Sequence, residues 1–146
     1  MLVELHAPAS AEDWAAYHDI RKRILFDARG RGDAYDPAHP DETAPYNHPL
    51  LLDVDGKPVG VVRIDLDLPD AWLRRMAVDT PYQRRGYGQR MIVEIVRFCR
   101  DAGAGRILSS VAPDAIGFYA KCGFEAVPGM HVDGSPRMML TLRADD

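Results

Sequence analysis

The stretch Met76-Ala77-Val78-Asp79-Thr80-Pro81-Tyr82-Gln83-Arg84-Arg85-Gly86-Tyr87-Gly88 joins an apolar strand end to a basic, glycine-bearing turn that opens a helix. That helix sets Met91, Ile92, Ile95, Val96 and Cys99 on one face and Glu94, Arg97 and Arg100 on the other. One face therefore seeks a core, while the first turn offers unpaired backbone N–H groups and a positive dipole end. Gly86 and Gly88 let the backbone approach an anion without a side chain intervening, and Arg84, Arg85 and Arg90 add positive charge around the same spot. A pyrophosphate is the group such a turn holds. Two other phosphate motifs fit less well: a dinucleotide fingerprint needs a third glycine where Met91 stands, and a P-loop needs Gly-Lys followed by Ser or Thr.

Elements on either side follow from periodicity and turn chemistry. Ser10 caps a first helix in which Trp14, Tyr17, Ile20, Ile24 and Leu25 recur at helical spacing to about Phe26. Residues 27–49, with Gly30, Gly32, Pro37, Pro40, Pro45 and Pro49, read as a long loop holding one short helical turn. Strands are expected at Leu50–Val54 and Val59–Leu68 around the hairpin signal Asp55-Gly56, then at Trp72–Val78. The helix from Gly88 to Ala102 ends at Gly103 and Gly105. Next come a strand Arg106–Val111, a short helix Pro113–Lys121, a strand start at Phe124–Val127 and a closing strand Arg137–Leu142. Helices inserted among hairpin-linked strands imply a mixed sheet covered on both faces.

Gln-x-x-Gly-x-Gly after a strand ending in Met-Ala-Val resembles the acetyl-CoA loop of the GNAT superfamily of N-acetyltransferases. Ala115-Ile116-Gly117-Phe118-Tyr119-Ala120-Lys121-Cys122-Gly123-Phe124 resembles the later signature of that superfamily, a helix bearing Phe-Tyr followed by Gly-Phe. The resemblance implies an α/β (α+β) fold. Its mixed, mostly antiparallel central sheet would have six to seven strands flanked by about four helices, with a splayed cofactor cleft and one domain over residues 1–146. It also implies acetyl-CoA as the acyl donor, no metal, and transfer to a primary amine of a small molecule or peptide by direct attack on the thioester. The cofactor residues carried over are Met76, Ala77, Val78, Gln83, Arg84, Arg85, Gly86, Tyr87, Gly88, Gln89, Phe118 and Tyr119. Relatives commonly pair through their terminal strands, so a homodimer is compatible with the family.

In this scheme the backbone of residues 76–78 pairs with the amide groups of the pantetheine arm like an added strand, and Val78 N–H polarises the acetyl oxygen. Tyr119 falls on the tyrosine that protonates the leaving sulfur in many relatives. The base is where the chain departs from the pattern: Arg74 and Trp72 stand where relatives carry a glutamate or histidine. The remaining candidates are Asp65, which we take as the catalytic base of this reading, then Asp67, Glu42, His48 and His131, with a water relay or an already neutral acceptor as further routes. Ala112 replaces an asparagine that contacts the pantetheine arm in many relatives, and Arg137 replaces a histidine of a subgroup with a similar closing strand. The missing base also admits an acyl-CoA-binding sensor with little transfer activity. A Cys-His hydrolase using Cys122 with His131 or His48 lacks an orienting third residue.

With 146 residues and 47% of them apolar, the chain has enough material for one core. A net charge of -4 argues against general affinity for nucleic acid or membrane, although the arginines cluster around residues 74–90 and 97–106. Two cysteines without metal-ligand spacing and an N-terminus that reads as a short strand rather than a signal peptide point to the cytoplasm.

Overall fold

The computed structural model describes residues 1–132 and 135–142, and for 130–132 the backbone. Seven strands form one sheet in the order β1-β2-β3-β4-β5-β7-β6. They are β1 (Val3–His6), β2 (Asn47–Val54), β3 (Lys57–Asp67), β4 (Asp70–Val78), β5 (Arg106–Ser110), β6 (Glu125–Val132) and β7 (Ser135–Thr141). All neighbours run antiparallel except β4 and β5, which are parallel because the chain crosses between them through a helix. The mixed, mostly antiparallel sheet is the one expected.

Among the described residues three α-helices accompany it, fewer than about four: α1 (Ala11–Ile20), α2 (Tyr87–Asp101) and α3 (Ile116–Lys121). The fourth helical body is the continuation of α1, a π-helical turn over Arg21–Phe26. Ser10 starts α1 with a reciprocal capping box, its hydroxyl taking the amide of Asp13 and the Asp13 carboxylate taking the amide of Ser10. Residues 27–46 are more ordered than a loop with one turn, since they contain three 3-10 turns at Asp27–Arg29, Gly32–Ala34 and Pro40–Glu42. The short helix expected from Pro113 begins as a 3-10 turn, Pro113–Ala115, before becoming α3.

Two apolar layers sandwich the sheet. On one face Met91, Ile92, Ile95 and Cys99 of α2 pack with Leu52, Val62, Ile64 and Ile107, and Tyr119 of α3 joins them. On the other, Tyr17 and Ile20 of α1 with Leu25 and Phe26 cover Leu51, Val61 and Ala77. The second face of β3 is polar at Arg63 and Asp65 but apolar at Val61, because α1 covers that end of the strand. Glu94 was assigned to the solvent face of α2, yet it is only 7% exposed and is gripped by Arg90 at 3.2 Å and Arg97 at 3.0 Å.

Burial of acids that ionise late gives a testable signature. Burial pushes Cys99 from 9.0 up to about 12 and Tyr119 from 10.0 up to about 12, and it raises Tyr17 as well. The folded chain keeps these protons where the unfolded chain has released them, so their contribution is complete below about pH 9 and declines as pH rises above it. Thermal melts should therefore show Tm falling between about pH 9 and pH 11. A flat profile across that window would contradict the burial of these groups.

Candidate functional site

β4 and β5 are registered only at Asp70↔Arg106, Ala71↔Ile107 and Trp72↔Leu108. Beyond that point β5 continues along β7, and the edge of β4 from Leu73 to Val78 has no strand beside it. The hydroxyl of Ser109 donates to the carbonyl of Leu73 at 3.3 Å and closes the base of the gap. A cleft of about 840 Å³ lies along the open edge, with Met76, Ala77 and Val78 in its wall. A second hollow of about 330 Å³ shares Met76 and Tyr119 with it and reaches Arg74 and Arg75.

Backbone alternation decides which amides face the gap. Asp79 N–H donates to Val59 at 2.8 Å, and Val78 lies opposite Gly60. Residues 77 and 79 are therefore bonded to β3, whereas the N–H and C=O of Val78 point toward the cleft. Gln83 Nε2 donates to that Val78 carbonyl at 2.8 Å, as the orientation requires. Met76 shares this orientation by the same two-residue period. Ala77 contributes wall rather than hydrogen bonds to the cleft, because its backbone is paired with Val61.

A bulge sits immediately upstream, where Val61 pairs Ala77 but Arg63 pairs Arg74. Arg75 carries the strain, at φ 53°, and the kink sends successive guanidiniums to different places. Arg74 lies 4.8 Å over the Trp72 ring and Arg75 lies 4.9 Å over Phe26.

Past Val78 the chain turns through Thr80–Tyr82 and enters α2 at Gly86, which sits at φ 85° and provides no side-chain cap. The first turn of α2 contains no acid, so its free amides and dipole face the mouth of the cleft without a protein counter-charge. Gly86 is required for its backbone angle, since a methyl there would meet no atom within 4 Å. Gly88 sits where space is tight, since a Cβ there would lie 3.1 Å from the ring of Phe118 and the ring would have to give way. Arg84 and Arg85 have no ion-pair partner among the described residues, whereas Arg90 is committed to Glu94.

The expected cofactor residues divide clearly. Gln83, Arg84, Gly86, Gly88, Gln89, Phe118 and Tyr119 join β4 in lining the cleft. Arg85 and Tyr87 do not, and the Tyr87 ring turns toward Tyr82 while its hydroxyl meets the sulfur of Met1 at 3.7 Å. The sequence reading missed Ile24, Leu25 and Arg29, which reach the cleft from the π-helical turn and the segment after it. The helical spacing of Ile24 and Leu25 was visible, but nothing in it reported which strand they would cross, and Arg29 fell in the expected loop.

Tyr119 is 9% exposed, wedged edge-on between Phe118 and Phe124 at 5.3 and 5.2 Å. Burial lifts its pKa to about 12, against a smaller opposite pull from Ser109. Asp65, the expected base, accepts from Arg63 Nε and Nη2 at 2.8 and 2.9 Å and lies 3.5 Å from Arg74. Glu42 is buried and takes bonds from Tyr17 at 2.9 Å and Arg21 at 2.6 Å. His48 packs edge-on to Phe98 at 5.4 Å, away from the cleft, and the side chain of His131 lies outside the described residues. The carboxylate that does line the cleft among the described residues is Asp114.

A model of the acetyltransferase (GNAT) family matches residues 12–124. The chain belongs to the GNAT family. This acetyltransferase is also 25% identical over 142 residues to a Bacillus subtilis (strain 168) protein assigned to the acetyltransferases, with 93% of each chain covered. It is 37% identical over 49 residues to glucosamine 6-phosphate N-acetyltransferase 1 of Oryza sativa subsp. japonica, a match spanning 34% of this chain and 30% of the rice protein. Its fold matches that of the PaiA N-acetyltransferase of Thermoplasma acidophilum, solved in complex with coenzyme A. The TM-score is 0.76 at 14% identity, over 97% of this chain and 99% of that one. Acetyl-CoA is the acyl donor of this family, and the GNAT cleft described above has the chemistry to take it: an open strand edge for an amide-bearing arm and a cationic helix end for phosphates.

Two substitutions separate fold from grip. Gly86→Ala should lower stability by about 1–2 kcal/mol, since it forces a β-carbon into the left-handed region, and should weaken coenzyme A binding with it. Arg84→Ala should leave Tm unchanged yet raise the Kd for coenzyme A by about tenfold, the worth of one charged hydrogen bond. Calorimetry and thermal melts on the two variants distinguish the cases.

Proposed function

We propose that the enzyme transfers the acetyl group of acetyl-CoA to a primary amine, which attacks the thioester directly across the gap between β4 and β5. The observation that carries this reading is the unpaired β4 edge, where the free Val78 N–H and the Tyr119 hydroxyl belong to one cleft that ends at the first turn of α2. The pantetheine arm adds to β4 through Met76 and Val78, while the pyrophosphate takes the amides after Gly86 with Arg84 beside them. Val78 N–H stabilises the oxyanion as the tetrahedral centre forms. The C–S bond then breaks, and the sulfur receives its hydrogen bond from Tyr119.

Magnitudes define what Tyr119 contributes. A hydroxyl near pKa 12 facing a thiolate whose acid has a pKa near ~8.5 would lose its proton only at a cost of about 5 kcal/mol. Tyr119 therefore acts as a hydrogen-bond donor to the departing sulfur, and the proton that ends there comes from the ammonium formed on the acceptor. Among the described residues no imidazole lines the cleft, the oxygens of Asp65 and Glu42 are taken up by arginine N–H groups, and Asp114 is the one carboxylate in its wall. We infer that the amine enters neutral or sheds its proton to water. The amine class also agrees with the named acceptor of the rice relative, glucosamine 6-phosphate. We assign the enzyme to the cytoplasm on the strength of its two free cysteines, Cys99 and Cys122.

The test is release of the coenzyme A thiol across a panel of primary amines. Tyr119→Phe should cut kcat by about 10- to 100-fold, the value of one hydrogen bond to a charged atom, with little change in cofactor affinity. Unchanged turnover at saturating substrate removes Tyr119 from the mechanism. The pH profile of kcat/KM should rise toward the pKa of whichever amine is used and shift when the amine is changed. An inflection that stays fixed across amines would reveal an enzyme base. Binding of acetyl-CoA without any acceptor-dependent thiol release would instead favour a sensor.

A further inference from the structure

A third cavity, of about 260 Å³, lies between the π-helical turn, the 27–46 segment and the bulge of β4. Arg21, Arg31, Arg63 and Arg75 line it together with Tyr35 and Glu42. Glu42 is the one buried acid in the lining of this cavity, and it is shared: Arg21 Nη2 reaches it at 2.6 Å and Arg63 Nη1 at 3.6 Å. The rim acids Asp36 and Asp41 are exposed and otherwise engaged, Asp36 with the amide of Ala38 and Asp41 beside His39.

Arg63 is also taken up by Asp65 at 2.8 Å, so the uncompensated positive charge of the cavity rests on the other arginines. Arg31 and Arg75 have no carboxylate within ion-pair distance among the described residues. Arg21 is only 3% exposed, yet its Nε and Nη1 have no hydrogen-bond partner of normal geometry. Buried guanidinium donors are rarely left without a partner, so these two are open to an acceptor placed in the cavity. The arginines also oppose one another: burial, then the charges of Arg21, Arg31, Arg63 and Arg29, hold Arg75 below its usual proton affinity. An oxyanion placed among them would relieve that repulsion and satisfy the open donors in planar, two-pronged geometry.

The cavity is connected to the chemistry. Arg75 lines both this cavity and the 330 Å³ hollow that Met76 and Tyr119 also line. The positive φ of Arg75 is what turns its side chain toward Phe26 and this cavity. We propose that the cavity is the recognition subsite for an anionic group, a carboxylate or a phosphate, carried by the amine acceptor at the end remote from the reacting nitrogen. The acceptor then spans from Arg31 and Arg75 to the thioester, and the arginines select amines that bear an oxyanion over neutral or dicationic ones. This subsite rests on the acetyl-transfer reading given above.

The experiment uses pairs of amines with and without an oxyanion: 4-aminobutyrate against its near-isosteric amide 4-aminobutanamide, and phosphoethanolamine against ethanolamine. Thiol release should give a kcat/KM about tenfold or more higher for the anionic member of at least one pair, carried by KM. The pair that shows it tells carboxylate from phosphate. Arg31→Ala and Arg75→Gln should each shrink that ratio, the glutamine retaining a stem over Phe26. Ratios near one in both pairs, or a ratio that both variants leave intact, overturn the proposal. If no amine of the panel turns over, inorganic phosphate and succinate are titrated into the acetyl-CoA-loaded protein. Saturable binding weakened by Arg31→Ala upholds the subsite, and its absence overturns it. Failure to bind acetyl-CoA defeats the transfer reading instead, and the same anion titration on the unloaded protein then judges the cavity alone.

Discussion

The structure depends on where β4 and β5 stop bonding. Three residue pairs hold them together, and after Trp72↔Leu108 the two strands part. A strand inside a sheet normally satisfies its peptide groups on both sides. The outer half of β4 does so only toward β3, so Met76 and Val78 present donors and acceptors to a cleft. The gap persists because both walls are anchored elsewhere, β4 by its long pairing with β3 and β5 by its full pairing with β7. A ligand with amide groups spaced along a chain is the natural third partner.

Around that gap the fold arranges charge in two separate places. At the mouth, the uncapped start of α2 and Arg84, which has no ion-pair partner among the described residues, gather positive charge, and Glu94 keeps Arg90 out of it. On the other side of the bulge, Arg21, Arg63 and Arg75 converge with Glu42 under the segment that follows the π-helical turn. The two clusters are not interchangeable. The first is built largely from backbone and is open to solvent, as suits a cofactor that must leave each cycle. The second includes an almost fully buried guanidinium whose donors are incompletely met, a condition that favours selection over mere attraction.

Much of the fold was legible because local signals agreed with one another. The capping box at Ser10, the turn at Asp55-Gly56 and the α2 amphipathicity all appear where periodicity put them. The discrepancies share one physical origin. The extension of α1 as a π-helical turn, the burial of Glu94 and the covering of Val61 all depend on what an element meets across space, which no window of sequence contains. Gly88 is instructive: its place in the turn was apparent, but its reason is the ring of Phe118, thirty residues further along.

From sequence alone came the family, the basic glycine-bearing turn, the candidate tyrosine and the absence of an acid at positions 72 and 74, because these are properties of residue identity and short spacing. Tertiary structure alone decided that Asp65 is clasped by Arg63 and Arg74, that Tyr119 is buried far enough to hold its proton to about pH 12, and that Arg75 joins two cavities. Ion pairing and desolvation act through distance and local dielectric, and those exist only once strands 36 residues apart in the chain, as at Asp70 and Arg106, lie side by side.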